Sequence, residues 1–309
     1  MSKKAVPRKK SLAGKAAKAP ARRVLIKIGG AALEDAKRVS KVCAEVARLR
    51  KSGVEVILVH GGGSSINREL ERKGITWSFH EGQRITTPEM METIEGTLGG
   101  SVNGALVRAL EKAGAPAAGM TGVDGGMLRC VVSDKRLGLV GKVTEVNASL
   151  IEAALKAGFV PVIAPIGVGT RGEAYNINAD WAAASLASAL NVQGLYFMTD
   201  QKGVLGADMK LLRKLTPADF DRLIAEGVIK GGMLAKARAV LHALFTGVPE
   251  VRVLHAANAP AFLSKKPGTQ CAFGPGAVVS RRSGAVVNVG VRRYRRPVLR
   301  IRPEVSSHV

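Results

Sequence analysis

Three charged residues stand where they could act on phosphate. Lys27 sits inside the apolar run Val24-Leu25-Ile26-Lys27-Ile28, which ends at Gly29-Gly30. A lysine in such a run is either an edge-strand charge or a ligand at the strand end. Lysines are rarely buried without an anionic partner, which favours the ligand. Lys236 follows Gly231-Gly232-Met233 by one helical turn. Alone it reads as a solvated helix lysine; together with Lys27 it would complete a clamp on the charge that develops in phosphoryl transfer. Asp180 is the first acid at a helix start, after the loop Tyr175-Asn176-Ile177-Asn178-Ala179. It is an N-cap or an anionic organiser that holds two lysines in place, and spacing does not decide between them.

The glycines point the same way. A second β-branched run, Val56-Ile57-Leu58-Val59, ends at His60-Gly61-Gly62-Gly63. Glycine where a strand gives way to a helix lets bare backbone N–H groups face an anion. One such turn is weak evidence, whereas two so close in the chain suggest a shared site for phosphates. Gly62 and Gly63 are read as donors to a charged substrate oxygen; a plain tight turn explains one or two glycines better than three. Thr199-Asp200 closes another apolar strand and precedes Gly203-Val204-Leu205. That suits a nucleotide lying across the strand ends, and an ordinary turn reads almost the same. Arg84, within Gly82-Gln83-Arg84-Ile85-Thr86, is a bidentate grip on a carboxylate or a surface arginine. His60 reads as a packed strand-end residue rather than a base. His80, His242, His255 and His308 share no ligand spacing, so no metal site and no Ser/His/Asp or Cys/His arrangement is expected.

These residues need a scaffold of alternating strands and helices. The pattern predicts strands at 24–28, 54–59, 159–164, 194–198 and 251–254, the last taken as the final central strand. Helices are expected near 33–51, 64–73, 148–157, 181–190 and 233–246, with another opened by Thr216-Pro217. A long helix is expected over 88–113, with Thr87 as N-cap, Pro88 at the first position and Gly114 at the exit. Residues 127–146 read as a hairpin turned at Gly138. Repeated strand–helix units imply an α/β fold with a mostly parallel sheet and helices on both faces. Ligands then sit outside the carboxyl ends of the strands, where the glycine turns lie.

The net charge of +23 on 309 residues is concentrated at the ends. Residues 1–23 carry nine Lys/Arg and no acid, and residues 264–309 carry ten against Glu304 alone. Residues 1–21 read as a basic disordered arm, 22–274 as the folded domain and 275–309 as a basic tail. No apolar stretch is long enough to span a membrane, and the N-terminus lacks the apolar core of a secretory signal. Cys43, Cys130 and Cys271 are odd in number and lack metal spacing, which fits free thiols in a reducing cytoplasm.

Taken in order, six segments resemble the amino-acid kinase family and, within it, the acetylglutamate kinases. They are Lys27-Ile28-Gly29-Gly30, His60 to Gly63, Gly82 to Thr86, Asn176 to Asp180, Thr199-Asp200 with Gly203 to Leu205, and Gly231-Gly232-Met233 with Lys236. The resemblance covers about residues 24–255. It implies an open three-layer αβα sandwich, commonly dimeric or hexameric. It also implies ATP-dependent phosphorylation of N-acetyl-L-glutamate to N-acetyl-L-glutamyl 5-phosphate in arginine biosynthesis. On that pattern Lys27 and Lys236 stabilise the transferring phosphoryl group, and Asp180 orients them. Gly62, Gly63, Arg84 and Asn176 hold the acyl amino acid. Gly29 and Gly30 serve the nucleotide's terminal phosphates, with Thr199, Asp200, Gly203, Val204, Leu205 and Met233 along the nucleotide. The N-terminal part of the domain would bind the acyl amino acid and the C-terminal part ATP, with Mg²⁺ held mainly by the nucleotide. The acceptor carboxylate is already ionised at neutral pH, so the chemistry needs no general base.

Several features depart from the family pattern. Ala235 stands where a proline is common, and residues 255–263 replace the usual Asp-Gly-Arg stretch. Residues 1–21 are too basic and too poor in large apolar residues for the N-terminal helix of arginine-inhibited members. These departures take away the support that the resemblance gives to a hexameric ring and to feedback by arginine; a homodimer is expected. One enzymatic alternative is a kinase for aminoadipate or glutamate tethered to an acidic carrier protein in lysine biosynthesis. The other alternative is a nucleic-acid-binding protein that contacts phosphates through its basic arm and Arg292-Arg293-Tyr294-Arg295-Arg296.

Overall fold

The apolar runs become strands because helices cover both of their faces. The computed structural model describes residues 22–274 and the backbone of two short strands beyond them. The first run forms β1 (Arg23–Ile28) and leads through α1 (Gly30–Leu33) to α2 (Ala36–Lys51). Next come β2 (Glu55–His60), α3 (Gly63–Arg72) and a small hairpin of β3 (Phe79–His80) and β4 (Gln83–Arg84). Helix α4 (Pro88–Glu95) continues through a π-helical stretch, Gly96–Val102, into α5 (Asn103–Lys112). The middle of the chain holds β5 (Ala117–Thr121), β6 (Leu128–Val132), β7 (Gly141–Val146), α6 (Ser149–Lys156), β8 (Val160–Ala164), β9 (Ile166–Val168) and β10 (Ala174–Asn176). The second half is built from α7 (Ala179–Ala189), β11 (Gly194–Thr199), β12 (Lys214–Leu215), α8 (Pro217–Ala225), α9 (Gly232–Phe245), β13 (Val251–His255), α10 (Phe262–Lys265) and β14 (Thr269–Cys271).

Eight strands form one sheet in the order β12-β14-β13-β11-β1-β2-β8-β5. All its pairings are parallel except β13 with β14. The expected α/β architecture is thus present. Val251–His255 is the last of the parallel central strands, as expected; beyond it β14 adds antiparallel and carries β12 at the edge. A second sheet, β10-β9-β6-β7, contains the expected hairpin. The strands at 277–279 and 286–288 pair with each other. The arm at 1–21, the rest of the tail and its arginine cluster lie outside the described residues. Among those described, no helix is long and apolar enough to cross a membrane.

Period-two alternation assigns each side chain of β1 to a layer. Val24, Ile26 and Ile28 pack with α2 and α5 on one face, among Val42, Val46, Leu106 and Leu110. Leu25 faces the opposite layer, built from α7 and α9, with Ala183, Leu186, Ala239 and Val240. Lys27 has the parity of Leu25. It is therefore delivered beneath α7 and α9, the helices that carry Asp180 and Lys236. Those two helices are alanine-rich where they are buried, with Ala182, Ala183, Ala184 and Ala187 on one and Ala237, Ala239 and Ala243 on the other. The scarcity of aromatics in this chain has its structural expression here.

The helix expected over 88–113 is not uniform. Thr87 accepts from the Met90 N–H, Pro88 opens α4, and Gly114 leaves α5 at φ +79°. In between, the π-helical stretch inserts an extra residue. Met91, Ile94 and Leu98 are buried, and their period would next bring 101–102 and 105 inward. Instead Ser101 and Ala105 are exposed, while Asn103, Leu106 and Leu110 are buried. The glycines at 96, 99 and 100 permit the wider turn without side-chain crowding.

Candidate active site

Two clefts open at the carboxyl ends of the parallel strands. The first, about 200 Å³, is lined by Lys27, Gly30, Gly62, Gly63, Arg84 and Asn176, with Asp180 at one side. The second, about 370 Å³, is lined by Thr199, Asp200, Gly203, Leu205, Met233 and Lys236. Asp180 joins them. Its Oδ1 lies 2.8 Å from Lys27 Nζ, and its Oδ2 accepts a hydrogen bond of 2.9 Å from Lys236 Nζ. All three side chains are at most 10% exposed.

Local sequence explains why the aspartate is available. Asn178, not Asp180, is the N-cap of α7: its Oδ1 accepts from the backbone N–H groups of Asp180 and Trp181. Asp180 is the second helical residue, and its carboxylate turns to the lysines instead of to its own backbone. The organiser reading describes its geometry, and the N-cap reading does not. Burial pushes the Asp180 carboxyl up, but the ammonium groups of Lys236 and Lys27 outweigh it and hold the group well below the usual range. Burial also lowers the Lys27 ammonium, against the pull of Asp180 and with help from Lys236. Two cations and one anion leave a surplus positive charge in a poorly solvated place, so a further anion is favoured there. Lys236 Nζ also stands 5.3 Å from the centre of the Phe197 ring, beside Lys27 in the β1–β11 register. Sequence reasoning missed this aromatic floor. The only available signal was parity within β11.

The two glycine turns meet. A Cβ on Gly30 would lie 3.1 Å from the Gly63 nitrogen. The Gly29 N–H donates to Met198 O and the Gly61 N–H to Ile28 O, so those two are spent on the sheet. The N–H groups of Gly62 and Gly63, at the start of α3, have no partner among the described residues, and both glycines line the first cleft. Two of the candidate residues line neither cleft. Gly29 is engaged as stated. Val204 is fully buried, with its N–H donating to Thr269 Oγ1 at 2.8 Å. Gly30, expected on the nucleotide side, lines the first cleft rather than the second.

Arg84 is not a surface residue: it is buried at the edge of the first cleft. Its guanidinium lies 4.8 Å over the Phe79 ring and 6.0 Å from that of Trp77. Nη2 donates to Asn67 Oδ1, whereas Nη1 is buried with no partner among the described residues. Burial lowers this guanidinium below its ordinary value. An unpaired buried N–H at a cleft wall calls for an acceptor from a ligand. Asn176 is anchored by its amide donating to Thr86 Oγ1 at 3.0 Å. Asn67, Phe79 and Trp77 went unnoticed in the sequence because nothing in their spacing ties them to Arg84, and Thr86 stood out only as part of the Gly82 to Thr86 segment, with no role of its own.

The model of the amino acid kinase family matches residues 22–255. The chain belongs to the amino acid kinase family. Among curated relatives, the acetylglutamate kinase of Geobacillus kaustophilus (strain HTA426) is 40% identical over 232 residues, covering 75% of this chain and 89% of its own. That of Methylobacterium nodulans is 38% identical over 280 residues, covering 85% and 89%. Of solved structures, smu.665 from Streptococcus mutans UA159 matches with a TM-score of 0.73 at 28% identity, over 82% of this chain and 99% of that one. A carbamate kinase from Giardia matches at 0.62 and 17% identity, over 82% and 99%, a likeness of fold. The family's three-layer architecture is the one described above.

Proposed function

We propose that this amino acid kinase transfers the terminal phosphoryl group of ATP to the side-chain carboxylate of N-acetyl-L-glutamate. The product is N-acetyl-L-glutamyl 5-phosphate, an intermediate of arginine biosynthesis. The observation that carries this reading is the single carboxylate, Asp180, gripping one lysine from each of two adjoining clefts. The first cleft takes the acyl amino acid. Arg84 Nη1 meets its α-carboxylate, Asn176 its acetylated end, and the Gly62 and Gly63 N–H groups the attacking carboxylate. The second cleft takes the nucleotide along Thr199, Asp200, Gly203, Leu205 and Met233. Its terminal phosphate comes to the seam, where Lys27 and Lys236 neutralise the charge that spreads over the phosphoryl oxygens. The acceptor is an anion at neutral pH and needs no base. His60, the histidine beside the site, is fully buried, and burial drives its pKa down to about 4.

Among the described residues no three His, Cys, Asp or Glu side chains gather in a way that could hold a metal ion. A magnesium ion accompanying ATP fits a site that leaves its coordination to phosphate oxygens and water. When bound it would add charge neutralisation between the phosphates. Residues 22–274 form the catalytic domain, divided between acyl amino acid and nucleotide as the clefts are. The enzyme works as a homodimer in the cytoplasm, where its three buried free cysteines stay reduced. The test is ADP release measured with N-acetyl-L-glutamate, L-glutamate, L-aspartate and α-aminoadipate. Turnover should be confined to, or at least a hundredfold higher with, the first. Absence of turnover with it would sink the assignment.

A further inference from the structure

His60 and Asn103 take no part in the scheme above, yet they are buried polar side chains in contact with each other. His60 ends β2 with no exposure, and Asn103 opens α5 at 3%. The Asn103 amide nitrogen donates to Val162 O at 2.9 Å and lies 3.1 Å from His60 Nε2. The carbonyl at Val162 fixes which end of that amide is nitrogen, so Nε2 of His60 must be the acceptor. The proton of the neutral ring is then on Nδ1, which stands 2.8 Å from the Gly61 carbonyl oxygen and donates to it. Two features make room for this arrangement. The inserted residue of the π-helical stretch turns Asn103 inward. On the facing strand β5, Gly119 has no side chain where a Cβ would fall 2.2 Å from Asn103 Oδ1.

The peptide joining Gly61 to Gly62 is trans and planar, so its C=O and N–H point in opposite directions. Holding the oxygen toward His60 aims the Gly62 N–H away from it, toward the first cleft that Gly62 lines. We infer that Asn103 and His60 are positioning residues: a fixed Nδ1–H tautomer pins the Gly61 carbonyl and thereby directs the Gly62 N–H at the attacking carboxylate. The chain of donors also polarises that peptide, making its N–H a better donor. The assignment rests on the proposed placement of the acceptor carboxylate beside Gly62.

Two substitutions separate the functions of the ring nitrogens. His60→Asn keeps a donor near the Nδ1 position, and His60→Gln keeps a polar group near Nε2 but leaves the Gly61 carbonyl untethered. In the full chain, His60→Gln should lower kcat at least tenfold below His60→Asn, with similar KM for ATP and similar melting temperature. Independently, ¹⁵N-detected NMR of the wild-type protein at neutral pH should show the His60 proton on Nδ1 and a bare Nε2. A proton on Nε2, or equal kcat in the two variants, would overturn the inference. Loss of wild-type turnover on every acyl amino acid would instead indict the functional assignment and leave the tautomer measurement standing.

Discussion

At the scale of single residues, the site is a charge balance held by one carboxylate. Lys27→Ala or Lys236→Ala should each lower kcat on the order of 10³-fold, about 4 kcal/mol of transition-state stabilisation, with small changes in KM. Steady-state kinetics with both substrates varied is the check, and turnover near wild type in either variant would remove the lysine clamp from the mechanism. Arg84→Ala should instead raise KM for the acyl amino acid, since the unpaired Nη1 serves binding. A pH profile tests the buried ammonium. Lys27 titrates below the ordinary lysine range, so turnover should fall as pH climbs through that lowered value. Stability should move the other way. Between the lowered folded pKa and the ordinary one, the unfolded chain holds more protons, so that group's contribution rises with pH. Lys27→Met should abolish this component in melts taken across the alkaline range. Lys27, Asp180 and Lys236 were legible as residues because each is chemically conspicuous at a strand or helix end. Their partnership was legible only as one of two readings of Asp180 and as what the family resemblance implies, because spacing over the 56 positions between Asp180 and Lys236 fixes no contact.

At the scale of elements, the β3–β4 hairpin ties the two halves of the site together. Its turn residue Gly82, at φ +78°, approaches α9 so closely that a Cβ would sit 3.1 Å from Gly231 O. Its neighbour Glu81 pairs with Arg238 at 3.0 Å. Gly82→Ala would cost about 1–2 kcal/mol of backbone strain and push the hairpin, with Arg84, off its seat. The expected outcome is a KM for the acyl amino acid raised by about tenfold, more than any fall in kcat. An unchanged KM would mean the hairpin docks without shaping the cleft. Sequence patterning gave the central strands and the helix caps because period, Pro and Thr signals agree locally, as at Thr87-Pro88 and Thr216-Pro217. It missed β5, whose Ala-Ala-Gly-Met-Thr has little intrinsic strand preference and becomes a strand only by pairing with β8. The π-helical stretch was invisible for a related reason: its signal is a phase slip in burial, which composition does not print.

For the whole molecule, the described fold accounts for the site without the basic ends. Arg23, first in β1, is tied into the fold by ion pairs with Glu55 and Glu152. A chain of residues 22–274 should retain turnover within about twofold of the full protein and melt cooperatively. A large loss of activity on trimming would place part of the site in the ends. Removal should also lower any affinity for RNA or DNA at low salt, because counterion release scales with the basic charges removed.

The alanine-lined contact between α7 and α9 carries one more consequence. Asp180 and Lys236 ride on these helices, and their separation is set by how closely the two backbones approach. Methyl groups in the layer beneath are therefore a spacer that gauges the site. A substitution such as Ala183→Val touches no ligand, yet it would spread the helices and loosen the ion pair. In a random-mutagenesis screen for impaired turnover, many hits should fall on these buried alanines, in variants that remain folded and bind both substrates.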